Sequence, residues 1–130
     1  MSYLLDTNVC SDHLRKAGRV TSQMLQHTGR LHFSTVSLGE LLSWILRVNT
    51  PESHRKSVEE MLEDMIVLEV DEAVGRKFGE VQSALLDKGE RAPGMDLLIA
   101  ATALVHDLTL VTHNTDDFER IPDLRVVDWR

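Results

Sequence analysis

A short apolar run near the start of the chain, Tyr3-Leu4-Leu5, ends abruptly in Asp6-Thr7-Asn8. An apolar run followed by polar residues that suit a helix start predicts a buried strand leading directly into a helix. The same order recurs along the chain, where short apolar runs alternate with segments whose apolar residues are spaced three and four apart. This alternation predicts an α/β protein with a mainly parallel central sheet between two helical layers, a three-layer α/β/α arrangement.

The spacing of apolar residues places each predicted element. Helices are predicted over residues 37–48, from Pro51 onward, and around residues 74–85 with a stop near Gly89. Asp96 is predicted to open a further helix over residues 97–106, which is apolar on almost every side. Strands are predicted at residues 3–5, 30–35, 66–70, 108–112 and 125–128.

Length and composition predict one globular domain over residues 1–130, since 42% of the residues are hydrophobic and 27% are charged. The single cysteine, Cys10, cannot form a disulfide within the chain, which fits a reducing compartment. The longest apolar run, residues 97–105, is about half the length of a membrane span. With no signal-peptide pattern at the N-terminus, we expect a cytoplasmic protein without a membrane partner.

The charge of the chain is unevenly distributed. The formal net charge is −7, which by itself speaks against a nucleic-acid partner. However, residues 1–50 carry five basic and three acidic side chains, whereas residues 51–130 carry nine basic and eighteen acidic ones. An acidic site loaded with a divalent cation would also change its local sign. The net charge therefore leaves the partner open.

Acidic residues follow or adjoin several predicted strands and helices. Asp6 follows the first strand, Glu40 lies in the first predicted turn of the helix after the second strand, and Asp96 heads the apolar helix. Asp116 and Asp117 follow the strand at residues 108–112. Functional groups of an open parallel sheet gather at the carboxyl ends of its strands, so these acids are candidates for one site.

Each acid alone also has a structural interpretation as a helix cap. Asp6 and Asp96 are suitable N-cap residues, Ser37 and Glu40 fit a capping box, and residues 114–117 fit a turn. Taken together, several carboxylates in one apolar setting would repel each other, and a divalent cation would remove that cost. Oxygen ligands without clustered His or Cys favour Mg²⁺, or Mn²⁺, over zinc. Such a site suits phosphoryl chemistry by a metal-activated water.

Four segments, taken in order, resemble the PIN domain and, more narrowly, the VapC toxins of bacterial toxin–antitoxin pairs. They are Leu4-Leu5-Asp6-Thr7-Asn8, Ser37-Leu38-Gly39-Glu40-Leu41, Asp96-Leu97-Leu98-Ile99-Ala100-Ala101 and Leu110-Val111-Thr112-His113-Asn114-Thr115-Asp116-Asp117-Phe118. The resemblance implies a Mg²⁺-dependent endoribonuclease that cuts structured RNA such as tRNA. It also implies a homodimer held inactive, in a hetero-oligomer, by a cognate antitoxin protein.

The resemblance also assigns roles to residues. Asp6, Asp96 and Glu40 would be catalytic and hold the metal, with Glu40 completing the pocket directly or through a water. Asp117 would be the fourth catalytic acid, with the adjacent Asp116 as the alternative. Secondary hydrogen bonds near the metal would come from Thr7 and Asn114.

Two further sets of residues are candidates for macromolecular contacts. Basic side chains that could hold RNA phosphates are Arg15, Lys16, Arg19 and Arg30, although a solvated face explains them equally simply. Apolar residues that could form an antitoxin groove are Leu41, Trp44, Ile45, Met61 and Met65, with core packing as the alternative. Of these, Trp44 is the best candidate for exposure. His113 lies near the candidate site, although a lone histidine is more often structural.

Other functions are less consistent with the residues. A haloacid-dehalogenase-like phosphatase needs a second Asp two residues after the first, and position 8 is Asn. A receiver domain needs paired acids after the first strand, whereas Asp6 stands alone. A catalytically inactive PIN-type binding module remains open, although all the matching acids are present.

Overall fold

A computed structural model of the chain describes residues 1–15, 18–49 and 51–130 and places five strands in one sheet. The strands are β1 (Tyr3–Leu5), β2 (Leu31–Ser34), β3 (Ile66–Leu68), β4 (Thr109–Val111) and β5 (Val126–Val127). The helices within these ranges are α1 (Thr7–Leu14), α2 (Gly18–Gln26), α3 (Thr35–Ile45), α4 (Pro51–Glu63), α5 (Glu72–Asp87), α6 (Gly94–Val105) and α7 (Thr115–Phe118). All neighbouring strands pair in parallel, so the predicted α/β class is confirmed.

The strand order β3-β2-β1-β4-β5 places β1 at the centre of the sheet. From β1 the chain builds one half of the sheet through β2 and β3, and then crosses to build the other half. A switch of this kind leaves a crevice at the carboxyl ends of the two central strands. Because Leu5 pairs with Phe33 of β2 and with Val111 of β4, these three strands end level. The residues that follow them therefore meet at one edge.

The two leucines of β1 show why helices cover both faces of the sheet. Successive side chains of a strand point to opposite faces, and both Leu4 and Leu5 are fully buried. Leu4 packs with apolar residues of α5 and α6, whereas Leu5 packs with those of α1 to α4. Burying such a side chain contributes about 1.5–3 kcal/mol to stability. Two apolar clusters thus hold the three-layer arrangement together.

Three features of the helices differ from the sequence prediction. The short helices α2 and α7 are additions, and α6 begins at Gly94 rather than at Asp96. Asp96 therefore lies inside the first turn of α6, and Pro93 occupies the N-cap position without a side-chain hydrogen bond. Among the helices of the described ranges, none combines the length and the apolar character that crossing a bilayer requires.

Candidate active site

Asp6 lies at the end of β1 and is only 6% exposed. Its Oδ1 accepts a hydrogen bond of 2.8 Å from the backbone N–H of Thr7, which caps α1. Its Oδ2 accepts a hydrogen bond of 2.7 Å from the hydroxyl of Thr112, the residue after β4. Asp6 is thus a helix cap whose carboxylate is also held across the crevice between β1 and β4.

Glu40 is attached to the same crevice through the start of α1. The hydroxyl of Ser34 accepts a hydrogen bond from the backbone N–H of Ser37 and caps α3, so α3 begins three residues earlier than a Ser37 cap would require. Glu40 therefore lies in the second turn rather than the predicted first, which excludes a capping box with Ser37. Instead, its Oε1 accepts a 2.7 Å hydrogen bond from the hydroxyl of Thr7, which lies beside Asp6.

The raised pKa of Asp96 indicates that the four acids lie in one region. Burial raises the pKa of its carboxyl group, and the negative charges of Asp6, Asp117 and Glu40 raise it further. Such an effect requires that the four carboxylates share one region of the structure. Asp96 does not cap α6, because Pro93 occupies the N-cap position. Its half-buried carboxylate can therefore contribute to the candidate site.

The ionisation of Asp6 is set by opposing contacts. Burial raises the pKa of Asp6, the hydrogen bonds from Thr112 and Thr7 lower it, and the charge of Glu40 raises it. The positive charge that His113 can carry lowers it slightly. The sum of these effects is a raised pKa, so the ionised form of Asp6 is disfavoured, chiefly by burial, and a bound cation would offset that cost.

The chemistry of the donor set fits a hard divalent cation. Asp6, Glu40, Asp96 and Asp117 offer carboxylate oxygens, the ligand type that Mg²⁺ and Mn²⁺ prefer. Within the described ranges, no group of three or more His, Cys, Asp or Glu side chains is placed so that all could bind one metal ion. Mg²⁺ usually binds through one or two carboxylates and keeps several waters, so the residues fit this ion without three protein ligands.

The loop after β4 distinguishes the two adjacent aspartates. Both aspartates are exposed in α7, but only the charge of Asp117 is among those that raise the pKa of Asp96. Asn114 occupies the N-cap position of α7 without a side-chain hydrogen bond, and its backbone N–H donates to the Thr112 hydroxyl over 3.1 Å. This geometry favours Asp117 as the fourth acid.

Thr112 is a site residue that sequence reasoning misses. Its buried hydroxyl donates to Asp6 and accepts from the backbone of the next loop, which ties both sides of the crevice together. The available signal is its position, since Thr112 is the first residue after β4, as Asp6 is after β1. That signal has meaning only once β1 and β4 are known to be neighbours.

His113 acts as a link between α1, the loop after β4 and the end of the chain. Its Nε2 contacts a carboxylate oxygen of Asp12, and its Nδ1 lies 3.3 Å from Oδ1 of Asp128. Its backbone N–H donates to the side chain of Asn8 over 3.3 Å, and its carbonyl accepts from Arg130 over 3.2 Å. The His113 side chain is 10% exposed and is enclosed by these partners, as expected for a structural histidine.

Two pockets flank the four acids. One pocket of about 570 Å³ borders Glu40 and is lined by Thr35, Val36, Gly39, Ser43, Met95 and Leu98. The other, of about 320 Å³, borders Asp117 and is lined by His113, Asn114, Thr115, Asp116 and Arg130. Space for a ligand therefore exists on both sides of the carboxylates.

The structure separates the basic residues that the sequence groups together. Arg15 and Arg19 are exposed at the end of α1 and the start of α2. Arg30 directly precedes β2 and so lies at the amino edge of the sheet, opposite the acids, which contradicts its predicted place near the site. Lys16 lies outside the described residues.

Most of the predicted antitoxin groove lies in the core. Leu41 and Ile45 are fully buried, and Met61 is 6% exposed, because the α3 and α4 faces that carry them pack into the apolar cluster on one side of the sheet. These three therefore do not form an open apolar surface, as the prediction required. Trp44 and Met65 remain partly exposed, so they are the two members of the set that a partner can reach.

Comparison with known proteins identifies the family. The family model of the PIN domain matches residues 3–124. A curated relative, the tRNA(fMet)-specific endonuclease VapC of Shigella flexneri, is 30% identical over 130 residues, covering 99% of this chain and 98% of its own length. The chain belongs to the PIN-domain family and, within it, to the VapC ribonucleases. The resemblance drawn from the four sequence segments is thereby confirmed.

Solved structures of VapC-family complexes share the fold. The chain is similar to a protein in DNA-bound VapBC from Salmonella typhimurium, with a TM-score of 0.93, 29% identity and coverage of 100% of this chain and 99% of that one. It is also similar to a protein in VapBC2 of Rickettsia felis bound to a DNA fragment from their promoter, with a TM-score of 0.92, 26% identity and full coverage of both chains. The three-layer fold of this VapC-family chain is therefore that of its relatives.

Proposed function

We propose that residues 1–130 form a single PIN domain that serves as the toxin of a toxin–antitoxin pair and hydrolyses RNA phosphodiester bonds. The observation that carries this proposal is the place of the carboxylates: Asp6 and Glu40 are held through Thr7 and Thr112 at the switch point of a VapC-family sheet. Asp96 and Asp117 lie in the same region. Such a group of carboxylates suits a divalent cation that binds a phosphate of the substrate. The VapC ribonuclease relatives indicate that the reaction is RNA hydrolysis. The place of action is the cytoplasm, where the RNA is.

The metal ion is proposed to be Mg²⁺, with Mn²⁺ as an alternative. VapC-type PIN nucleases depend on a metal ion in general, and the oxygen-only donors of this chain suit a hard cation. Asp6 and Asp96 would hold it as the main ligands, with Glu40 completing the pocket. A divalent ion bound there supplies a Lewis acid and makes water a stronger nucleophile.

The side chains of the site have distinct tasks in the proposed reaction. Glu40 or Asp117 orients a water for in-line attack on phosphorus and accepts its proton. The phosphorus–O3′ bond breaks as the new phosphorus–oxygen bond forms, and the leaving O3′ takes a proton from solvent. The products are a 5′-phosphate and a 3′-hydroxyl. Thr7 and Thr112 keep Glu40 and Asp6 in place through their hydroxyls. No covalent intermediate with the chain is required.

The substrate is proposed to be structured RNA, with tRNA as the first class to test. The Shigella flexneri relative is named for the initiator tRNA, tRNA(fMet), and matches this chain over nearly all of both lengths. Arg15, at the end of α1, and Arg19, at the start of α2, are exposed and are proposed to contact phosphates. Arg30 has no part in this proposal because of its place at the opposite edge.

The protein partner is proposed to be a cognate antitoxin. Structures similar to this chain are VapBC toxin–antitoxin complexes, and some of them hold DNA. A groove of about 460 Å³ between α1, α2 and α4 borders Leu14 and Met61 and offers one docking place. Trp44 and Met65 are the reachable members of the set predicted for this contact. The toxin itself is proposed to be a homodimer within that hetero-oligomer.

The test is cleavage of purified tRNA by the antitoxin-free protein with Mg²⁺, with Mn²⁺ and with EDTA. We expect discrete fragments with 5′-phosphate ends only when a divalent ion is present, and none with Asp96→Asn. Asp87→Asn, at the exposed end of α5, is the matched control and should cleave like the unmodified chain. Full activity of Asp96→Asn would refute the assigned site. A chain that neither cleaves RNA nor binds Mg²⁺ would be an inactive binding module.

A further inference from the structure

Helices α1 and α3 touch at a second point besides the catalytic crevice. The first point is the hydrogen bond from Thr7 to Glu40. At the second, the guanidinium carbon of Arg15 lies over the indole ring of Trp44, 5.4 Å from its centroid. Arg15 is eight residues after Thr7, about 12 Å along α1, and Trp44 is four residues after Glu40, about 6 Å along α3. The second contact is therefore one to two helical turns from the acids.

The Arg15–Trp44 contact presents a positive charge over an aromatic ring at the surface. The Arg15 side chain is 61% exposed, and the Trp44 ring below it is half-buried. His54 packs edge-on against Trp44, with ring centroids 5.8 Å apart, which supports the indole from another side. Within the part of the chain that the structure describes, Arg15 forms an exposed ion pair of 3.7 Å with Asp12, and so weak a pair lets its guanidinium exchange that partner for a phosphate.

We propose that Arg15 and Trp44 form a binding subsite for an unpaired nucleotide next to the cleaved bond. RNA bases splayed out of a helix stack on aromatic rings and on guanidinium planes, and the guanidinium charge attracts the adjoining phosphate. The subsite would select RNA with an accessible single-stranded nucleotide over fully paired RNA. This inference rests on the ribonuclease activity proposed above and adds a substrate class to it.

The observations favour RNA over an apolar protein segment as the occupant. A docked apolar helix needs a contiguous apolar groove. The neighbours of Trp44 on α3 that could extend such a groove, Leu41 and Ile45, are fully buried. What remains at the surface is one indole covered by a cation, on the same helical faces as Thr7 and Glu40. The contact therefore matches a nucleotide better than it matches a protein groove.

Steady-state cleavage of an initiator tRNA transcript tests the subsite. Trp44→Leu removes the stacking surface, and Arg15→Met keeps the length of the side chain without its plane or charge. Stacking on one side chain corresponds to about a tenfold effect, so we expect each variant to raise KM about tenfold with kcat nearly unchanged. Trp44→Phe should recover most of the loss because it keeps a π-face. Arg76→Met, which breaks an exposed Arg–Glu pair on α5, is the matched control.

The outcomes separate the subsite from the activity it rests on. In one outcome, the unmodified chain cleaves RNA, and Trp44→Leu and Arg15→Met keep its KM while circular dichroism shows that both are folded. The proposed nucleotide subsite is then wrong, whereas the proposed ribonuclease activity is supported. If Trp44→Leu weakens only antitoxin binding, Trp44 belongs to the protein contact, and the subsite is again wrong. If the unmodified chain cleaves no RNA, both proposals fail. Should Trp44→Leu not fold, Arg15→Met alone decides.

Discussion

The charge of Asp96 is unfavourable in the folded chain when no cation is bound. Burial raises the pKa of its carboxyl group, and the charges of Asp6, Asp117 and Glu40 raise that pKa further. We therefore expect Asp96→Asn to increase the free energy of unfolding in EDTA by up to about 1 kcal/mol, since solvent screens a half-buried group. A raised pKa means that the penalty exists only while Asp96 is ionised. The gain should disappear as the pH falls through the raised pKa and Asp96 takes up a proton.

Urea unfolding at neutral pH and near the ordinary pKa of 3.8 checks this expectation. The exposed variant Asp87→Asn controls for the general effect of removing one acid from an acidic chain. Added Mg²⁺ should stabilise the unmodified chain more than Asp96→Asn, because a ligand that binds only the folded state raises its stability. A loss of stability in Asp96→Asn at neutral pH would show that the carboxylate makes a favourable contact instead.

The adjacent aspartates of α7 allow a paired test of the fourth acid. Both side chains are exposed, and of the two only Asp117 is among the charges that raise the pKa of Asp96. If Asp117 orients or deprotonates the attacking water, Asp117→Asn should lower kcat about 100-fold or more, the usual size of general acid–base catalysis. Asp116→Asn should leave kcat nearly unchanged. Single-turnover cleavage of tRNA measures both, and the reverse ranking would transfer the role to Asp116.

At the scale of elements, the length of the apolar pattern decides what a sequence can predict. α5 repeats its apolar stripe over about three turns, from Val74 to Leu85, and is predicted with nearly its observed limits. α2 buries only Val20 and Met24, and α7 has four residues, which is too short for any helical period. The predicted strands agree with the sheet because each is a short apolar run between polar residues.

The residues of the candidate site also differ in whether a local sequence pattern predicts them. Asp6 and Glu40 could be selected from the sequence because each follows a recognisable strand. The role of Thr112 depends on the register of β4 beside β1, which joins residues 106 positions apart and leaves no local pattern. The choice between Asp116 and Asp117 likewise depends on which way α7 turns. Local chemistry can be predicted from sequence, whereas contacts across the sheet need the fold.

The start of α5 provides a test of how much one cap contributes to the fold. Oδ1 of Asp71 accepts a 3.0 Å hydrogen bond from the backbone N–H of Val74, which would otherwise lack a partner. We expect Asp71→Ala to lower the free energy of unfolding by about 1 kcal/mol. Asp71→Asn keeps the acceptor oxygen and should cost much less. Equal losses in the two variants, measured by urea unfolding, would show that charge rather than the hydrogen bond matters.

At the scale of the whole molecule, a protein with a negative net charge has to bind RNA, which is also negatively charged. The net charge is −7, and most of the acidic excess lies in residues 51–130, so long-range attraction of RNA is weak. Recognition must therefore come from a few local contacts around the acids, with cations offsetting the charge of the site itself. Binding should therefore depend strongly on Arg15 and Arg19, the two arginines proposed above to contact phosphates.

The salt dependence of RNA binding measures how many phosphates those local contacts hold. Each neutralised phosphate of a single strand adds about −0.7 to the slope of log K against log salt concentration, so two arginines predict a slope of about −1.4. Arg15→Met should make the slope shallower by about 0.7, because it removes one phosphate contact. Binding of tRNA to the cleavage-deficient Asp96→Asn, with and without Arg15→Met, gives both slopes in a fixed Mg²⁺ concentration. A slope that is several-fold steeper would mean that a wider basic surface, such as one formed by a second copy of the chain, holds the RNA.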